Sequence, residues 1–175
     1  LIALGGIIWF IMRQRSKEPT LSANLEQNVD SFLNEAGQAV EPAIKELLSV
    51  HAGSKFPEAM LYQIDTGGKR LRPALVFLSC RAVGGQDQAA LYAAAAVEIL
   101  HNYSLIIDDM IDHGQVRRGL PTTWKKWGHS MAQCFGVHYA AAIFEGALKT
   151  PAPLKATSIL TETLQVLLEG EMLDI

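Results

Sequence analysis

The run Glu98 to Gly119, E-I-L-H-N-Y-S-L-I-I-D-D-M-I-D-H-G-Q-V-R-R-G, constrains this chain more than any other stretch. It closes a long apolar segment with Asp108, Asp109 and Asp112, then follows them with Arg117-Arg118-Gly119. At about 100° per residue, Glu98, His101, Leu105, Asp108, Asp109 and Asp112 fall within about a third of a helix circumference. One face of an otherwise greasy helix is therefore polar. A buried charge needs a partner or a metal, and neighbouring carboxylates repel one another without a cation between them. Mg2+ suits such a set, because it takes oxygen ligands and commonly bridges one or two carboxylates to substrate phosphates. The two arginines suit the phosphates, which guanidinium grips in a bidentate fork. The competing arrangement is a helix end whose acids and arginines pair with each other.

A second stretch, Gly67-Gly68-Lys69-Arg70-Leu71-Arg72-Pro73, crowds cations into one turn behind two glycines. Pro73 can open a helix through Ala74-Leu75-Val76-Phe77-Leu78, and a glycine loop feeding a helix offers free N–H groups to an anion. It is not a Walker A loop, which needs an earlier glycine and a Ser or Thr after the lysine. A plain basic turn explains the same residues as well.

The remaining chain reads as helix throughout. Leu21, Leu25, Val29, Phe32, Leu33 and Ala36 recur at three- and four-residue steps, an amphipathic helix with a core face. Pro57 opens a helix that Gly67 stops, Gly84-Gly85 closes the helix after Pro73, and Asp87 begins the alanine-rich climb into the acidic run. Beyond Gly119, Thr122-Thr123 offers a capping hydroxyl before a helix at Trp124. Met131 to Leu148 and Leu154 to Ile175 follow as helices, the last with Leu160, Leu164, Leu167 and Leu168 inward. No stretch alternates as strands do, so the fold class is all-α, an antiparallel helix bundle. Glu98, His101 and Asn102 interrupt the apolar segment, which argues against a membrane span there.

A net charge of -3 speaks against nucleic acid as a partner. Cys80 and Cys134 form no C-x-x-C pattern and read as reduced core residues. Residues 1–17 differ in kind. Leu1 to Met12 is apolar or glycine, and Arg13, Arg15 and Lys17 follow. The stretch is shorter than the about 20 residues that span a bilayer, yet the chain opens without Met. It reads as the end of a truncated apolar leader, a membrane anchor whose basic flank places residues 18–175 on the cytoplasmic side. The alternative, a buried terminal helix, is weakened by the bulky Ile7-Ile8-Trp9-Phe10 run and the basic stop. A signal peptide fits worse, because its charges precede the apolar run.

Four pieces, Gly67-Gly68-Lys69-Arg70-Leu71-Arg72-Pro73, Glu98-x-x-His101, Asp108-Asp109-Met110-Ile111-Asp112 and Arg117-Arg118-Gly119-x-Pro121-Thr122, stand in this order. Together they closely resemble the trans-type isoprenyl diphosphate synthases, over Phe32 to Ile175. The resemblance implies a bundle of the isoprenoid synthase type, incomplete at its C-terminus. It also implies Mg2+-dependent transfer of the prenyl group of an allylic diphosphate to isopentenyl diphosphate. By the same resemblance Asp108, Asp109 and Asp112 are catalytic, with Asp108 and Asp112 as the metal ligands. Lys69, Arg72, His101 and Arg118 match positions that bind isopentenyl diphosphate, Arg117 one that grips the allylic diphosphate, and Arg70 none. A homodimer is implied, with Met131 to Leu148 among the candidate interface helices.

Several positions depart from the family pattern. Glu171 replaces glutamine in Gly170-Glu171-x-x-Asp174, Val137 follows Gly136 where aspartate is frequent, and Ile107 stands where histidine is common. The sequence stops before a second aspartate-rich motif and a downstream Lys-Thr pair. The expectation is that catalysis belongs to a longer protein and that these residues alone are inactive. Two other readings stay open, a non-catalytic partner subunit of an active synthase and a terpene cyclase. The cyclase gives no reason for Lys69 and Arg72 beside a second diphosphate.

By resemblance, Tyr103 and Ser104 help floor the tunnel that holds the growing chain. A bulky aromatic in a dry pocket limits length by sterics, which sets the expected product at about C15 to C20. Tyr103→Ala in the intact protein should therefore lengthen the product, as chromatography of labelled products would show; unchanged length would remove Tyr103 from this role.

Overall fold

Alanines 94, 95 and 96 on one helix, each wholly buried, let neighbouring helices come close enough to make that helix the axis of the molecule. The computed structural model describes residues 21–49 and 56–175, with side chains from residue 25 onward. The apolar leader therefore lies outside the described residues. Seven helices make up the described chain: α1 (Leu21–Ser49), α2 (Pro57–Asp65), α3 (Leu71–Ala82), α4 (Asp87–Ile111), α5 (Thr123–Trp127), α6 (His129–Leu148) and α7 (Pro153–Asp174). The axis is α4, which packs most extensively on α6, then on α3 and α1, while α7 lies against α6 and the end of α4. Four-residue connections at 83–86 and 149–152 suit antiparallel neighbours. The fold is all-α as the sequence pattern predicts.

Close approach has a second cause at Gly146 of α6. A Cβ there would lie 3.1 Å from both the Ala96 Cβ on α4 and the Leu47 Cδ1 on α1. Three helices thus share one contact that only a small residue permits. Around it α1 supplies Val40, Ile44, Leu47 and Leu48, α3 Phe77, α4 Ile99 and Ile106, and α6 Tyr139 and Ile143. The Tyr139 hydroxyl donates to the Met60 carbonyl at 2.6 Å and ties α2 to α6.

Four expectations need correction. Leu25 and Val29 keep the helical spacing, yet they are 56% and 55% exposed. With Leu71, Leu75 and Leu78 of α3 they line an open apolar groove, because no described element covers the first turns of α1. Cys134 is exposed rather than in the core, and both cysteines are free. One strand pair exists, β1 (Val116–Arg117) antiparallel to β2 (Leu120–Pro121). Two residues per strand are too few for alternation to register. Finally, the Thr122 hydroxyl caps nothing and donates to the Gly114 carbonyl at 2.7 Å.

The main polar feature inside the fold is Arg70. It precedes α3 with φ at 50°, in the left-handed region, and this turn sends its side chain inward. Gly37 on α1 leaves room, since a Cβ there would be 3.2 Å from the Arg70 Cγ. One Nη donates to Glu98 at 3.1 Å, the other to Glu41 at 3.3 Å and to the Ile64 carbonyl at 3.1 Å. Glu98 and Arg70 side chains are only 4% and 9% exposed, Glu41 30%. Removing one partner of a buried pair strands the other charge, whereas an exposed pair contributes little. Glu98→Ala should cost about 3 kcal/mol in urea unfolding of the intact protein, against about 1 kcal/mol or less for Glu41→Ala.

Candidate functional site

The acidic end of α4 is shaped by how that helix stops. Asp112 ends it, His113 turns left-handed at φ 53°, and the Gly114 N–H returns to the Asp109 carbonyl at 3.0 Å, a Schellman-type closure. A Cβ on Gly114 would sit 3.0 Å from the Asp109 Oδ1. Glycine here gives the Asp109 carboxylate its place. The chain then forms the small hairpin, with Arg118 and Gly119 both at positive φ as a type I′ turn requires. Its base is stitched to α4, because the Gly114 carbonyl accepts from both the Thr122 hydroxyl and the Trp124 indole at 2.7 and 2.8 Å.

This geometry delivers Arg117 to the acids. Its Nε donates to both oxygens of Asp109 at 3.0 and 2.9 Å, and its Nη2 donates to the Asp108 Oδ2 at 2.6 Å. The Asp109 bond, first among the causes, holds the Arg117 guanidinium above its ordinary value. Pairing of acid with arginine, the competing arrangement in the sequence, is therefore realised for Asp108 and Asp109. Asp112 is exposed one turn on, without an ion-pair partner among the described residues.

Arg118 points the other way, toward the glycine loop. A Cβ on Gly68 would lie 3.2 and 3.3 Å from its two terminal nitrogens and 3.3 Å from the Arg70 Nη1. Its Nη1 also donates to the Thr66 hydroxyl at 3.4 Å. Burial first, then nearby Arg70, pushes the Arg118 guanidinium below its ordinary value. Lys69 and Arg72, flanking Arg70 in the chain, are exposed. Of the five cations in the two stretches, Arg70 and Arg117 are thus neutralised by carboxylates. Among the described residues Lys69, Arg72 and Arg118 have no acidic partner and remain available to an anion.

His101 lies half-buried within this cationic field. Burial first, then Arg72, Arg118, Arg117 and Arg70, push its imidazole down to about 4. It is neutral at physiological pH and can offer one ring N–H without adding charge. Tyr103 packs against the core and turns toward α6, with its Cε2 3.7 Å from where a Gly136 Cβ would be. Ser104, one position on, turns its hydroxyl back to the His101 carbonyl at 2.8 Å.

A cleft of about 380 Å³ separates Asp108 from the end of α7 and is lined there by Leu167, Gly170, Glu171 and Asp174. Burial first, then Asp108, Asp112 and Asp174, push the Glu171 carboxyl up. The acids therefore sense one another across the cleft, yet among the described residues no group of three or more His, Cys, Asp or Glu is placed to hold a metal ion. Asp108, which lines this cleft, and Asp112, exposed one helical turn on, fit a divalent cation that takes its remaining oxygens from water or phosphate.

Two residues of the site were not read from the sequence. The resemblance gave Arg70 no role, and its left-handed backbone is what turns it inward, apart from Lys69 and Arg72. Glu171 offered a clue in standing where glutamine is usual, but its partners lie some sixty residues away in sequence.

An all-α bundle with a carboxylate-lined cleft at the end of its central helix and a glycine loop whose cations lack acidic partners defines a class of helical proteins with a charged site. The comparisons with known proteins give the particular family. Residues 54–175 match the family described as polyprenyl synthetase. The geranylgeranyl diphosphate synthase of Methanosarcina mazei is 39% identical over 150 residues, covering 83% of this chain and 46% of its own length. The farnesyl diphosphate synthase of Geobacillus stearothermophilus is 43% identical over 108 residues, 60% of this chain and 36% of its own. A polyprenyl synthase from Caulobacter crescentus, solved with calcium and isoprenyl diphosphate, superimposes with a TM-score of 0.71 at 31% identity, covering 82% of this chain and 44% of its own. The chain belongs to the polyprenyl synthetase family, the trans-type isoprenyl diphosphate synthases. It spans about half the length of the curated relatives it matches.

A base whose pKa falls on folding binds fewer protons when folded. The contribution of His101 to stability is then complete above its ordinary 6.5 and is lost as pH falls toward about 4. An NMR titration should place the His101 midpoint near 4, and His101→Gln should flatten the slope of stability against pH across that window. Inorganic pyrophosphate should raise the midpoint by bringing negative charge among the arginines.

Proposed function

We propose that the intact protein is a Mg2+-dependent prenyl transferase that condenses an allylic diphosphate with isopentenyl diphosphate to a product of about C15 to C20, the length set by sterics. The observation that carries this is the sorting of charge. Lys69, Arg72 and Arg118 have no acidic partner among the described residues, while Arg117 is held by Asp108 and Asp109 with Asp112 exposed one turn on. Two diphosphates need two such places. A cyclase with a single diphosphate leaves the first set unused.

Lys69, Arg72, Arg118 and the neutral N–H of His101 would bind and orient isopentenyl diphosphate against the Gly67-Gly68 turn. Asp108 and Asp112 would hold Mg2+, which, when bound, draws charge onto the leaving diphosphate as the allylic bond breaks. Arg117 would share the negative charge of that diphosphate. Tyr103, packed against the core and turned toward α6, would limit the hydrocarbon chain. The printed names of the Methanosarcina and Geobacillus relatives, a geranylgeranyl and a farnesyl synthase, support the short product.

A second copy would pack on α6, whose Cys134, Val137, Ala141 and Leu148 form one exposed face, Val137 at 73% and Leu148 at 66%. The apolar residues 1–12 would hold the protein at the cytoplasmic face of a membrane. The partner-subunit reading would be favoured by a folded, metal-binding intact protein that extends nothing.

The intact protein, given Mg2+, an allylic diphosphate and labelled isopentenyl diphosphate, should form a labelled prenyl diphosphate. Asp108→Ala and Arg118→Ala should each lower turnover by roughly 100-fold or more, the scale of losing one preorganised electrostatic contact. Full activity in both variants would overturn the assignment.

A further inference from the structure

The two arms of Arg117 end on unequal partners. Its Nε rests on Asp109, whose side chain is 4% exposed, and its Nη2 rests on Asp108, 37% exposed. Asp109 is fixed by the closing turn of α4, by the space above Gly114, and by a hairpin base bonded to the Gly114 carbonyl. Parting Arg117 from Asp109 would leave a buried carboxylate without a counter-charge. Parting it from Asp108 would leave that carboxylate facing the cleft beside α7.

We propose that Asp109 is the fixed anchor of Arg117, and that Arg117 exchanges its Asp108 contact for substrate diphosphate when a divalent cation takes Asp108. This rests on the transferase reading and assigns Asp109, catalytic by the resemblance, a positioning role. A guanidinium and a dication on one carboxylate repel each other, so a cation arriving alone must displace the Nη2 contact. A diphosphate removes the difficulty, because it bridges the cation and gives the freed Nη2 a new acceptor while Nε stays on Asp109. Cation and diphosphate then strengthen each other's binding, and by linkage the effect is the same in both directions. Part of that coupling resides in Arg117.

The test uses Mn2+ as a paramagnetic probe of the divalent site in the intact protein, titrated over the same range of free Mn2+ with and without inorganic pyrophosphate. Wild type should bind Mn2+ weakly alone and more tightly with pyrophosphate. Arg117→Gln should tighten Mn2+ alone about tenfold or more, the release of one charge-assisted hydrogen bond, and should shrink the gain from pyrophosphate by a similar factor. Because Arg117→Gln strands the buried Asp109, the double variant Asp109→Asn with Arg117→Gln removes both charges and should behave alike. Asp109→Asn alone keeps Arg117 on Asp108 and should retain weak Mn2+ binding. Unchanged Mn2+ affinity in both Arg117 variants would overturn the exchange while leaving the transferase reading intact. Failure of wild type to bind Mn2+ even with pyrophosphate would overturn both.

Discussion

The ion pair between Arg70 and Glu98 is the contact on which the site depends. It joins the loop before α3 to the middle of α4, and through Glu41 and the Ile64 carbonyl it reaches α1 and the end of α2. Four elements are held by one guanidinium. Because that side chain turns inward, its neighbours Lys69 and Arg72 remain outside. Its Nη1 also lies beside Gly68, where Arg118 arrives from the hairpin. The contact is costly, since both charges leave water, and any gain depends on the complete set of acceptors. What it secures is geometry: the glycine loop cannot shift without stranding a buried acid.

Charge is accordingly divided by burial. Cations that meet carboxylates inside the fold hold elements in place, while those that meet none stay available to an external anion. The same division appears among the acids. Glu98 and Asp109 are buried and satisfied by arginine, whereas Asp108 lines the cleft and Asp112 is exposed. Structure and chemistry share one stripe of α4, and depth below the surface separates the two tasks.

Most of the helical order was legible in the sequence because period and punctuation agree. Pro57, Gly67 and Asp87 stand at boundaries that the structure keeps, and the stripe from Glu98 to Asp112 lies on one helix and its cap. The carboxylates and arginines of the site were legible as a set, since such charges are rare beside an apolar run. Their pairing was not. Which of Lys69, Arg70 and Arg72 turns inward is decided by one backbone angle, and which of Arg117 and Arg118 meets the acids is decided by a two-residue turn. Neither leaves a trace in periodicity. Burial of the first turns of α1 was misjudged for a related reason, because helical spacing defines an apolar face without defining what covers it.

Arg70, His113 and Arg118 are the non-glycine residues at positive φ among the described residues, and all three border the site. Each such angle costs a non-glycine residue roughly 1–2 kcal/mol. Glycine or asparagine would occupy them with less strain, so at His113 and Arg118 selection for thermal stability alone would favour replacement, whereas at Arg70 the loss of the buried pair with Glu98 outweighs the relief. At Arg118 such a change would remove one of the cations proposed to bind a diphosphate. A stability-ranked library of this protein would therefore register a proposed substrate-binding position as a defect, and selection for heat resistance would act against the proposed chemistry.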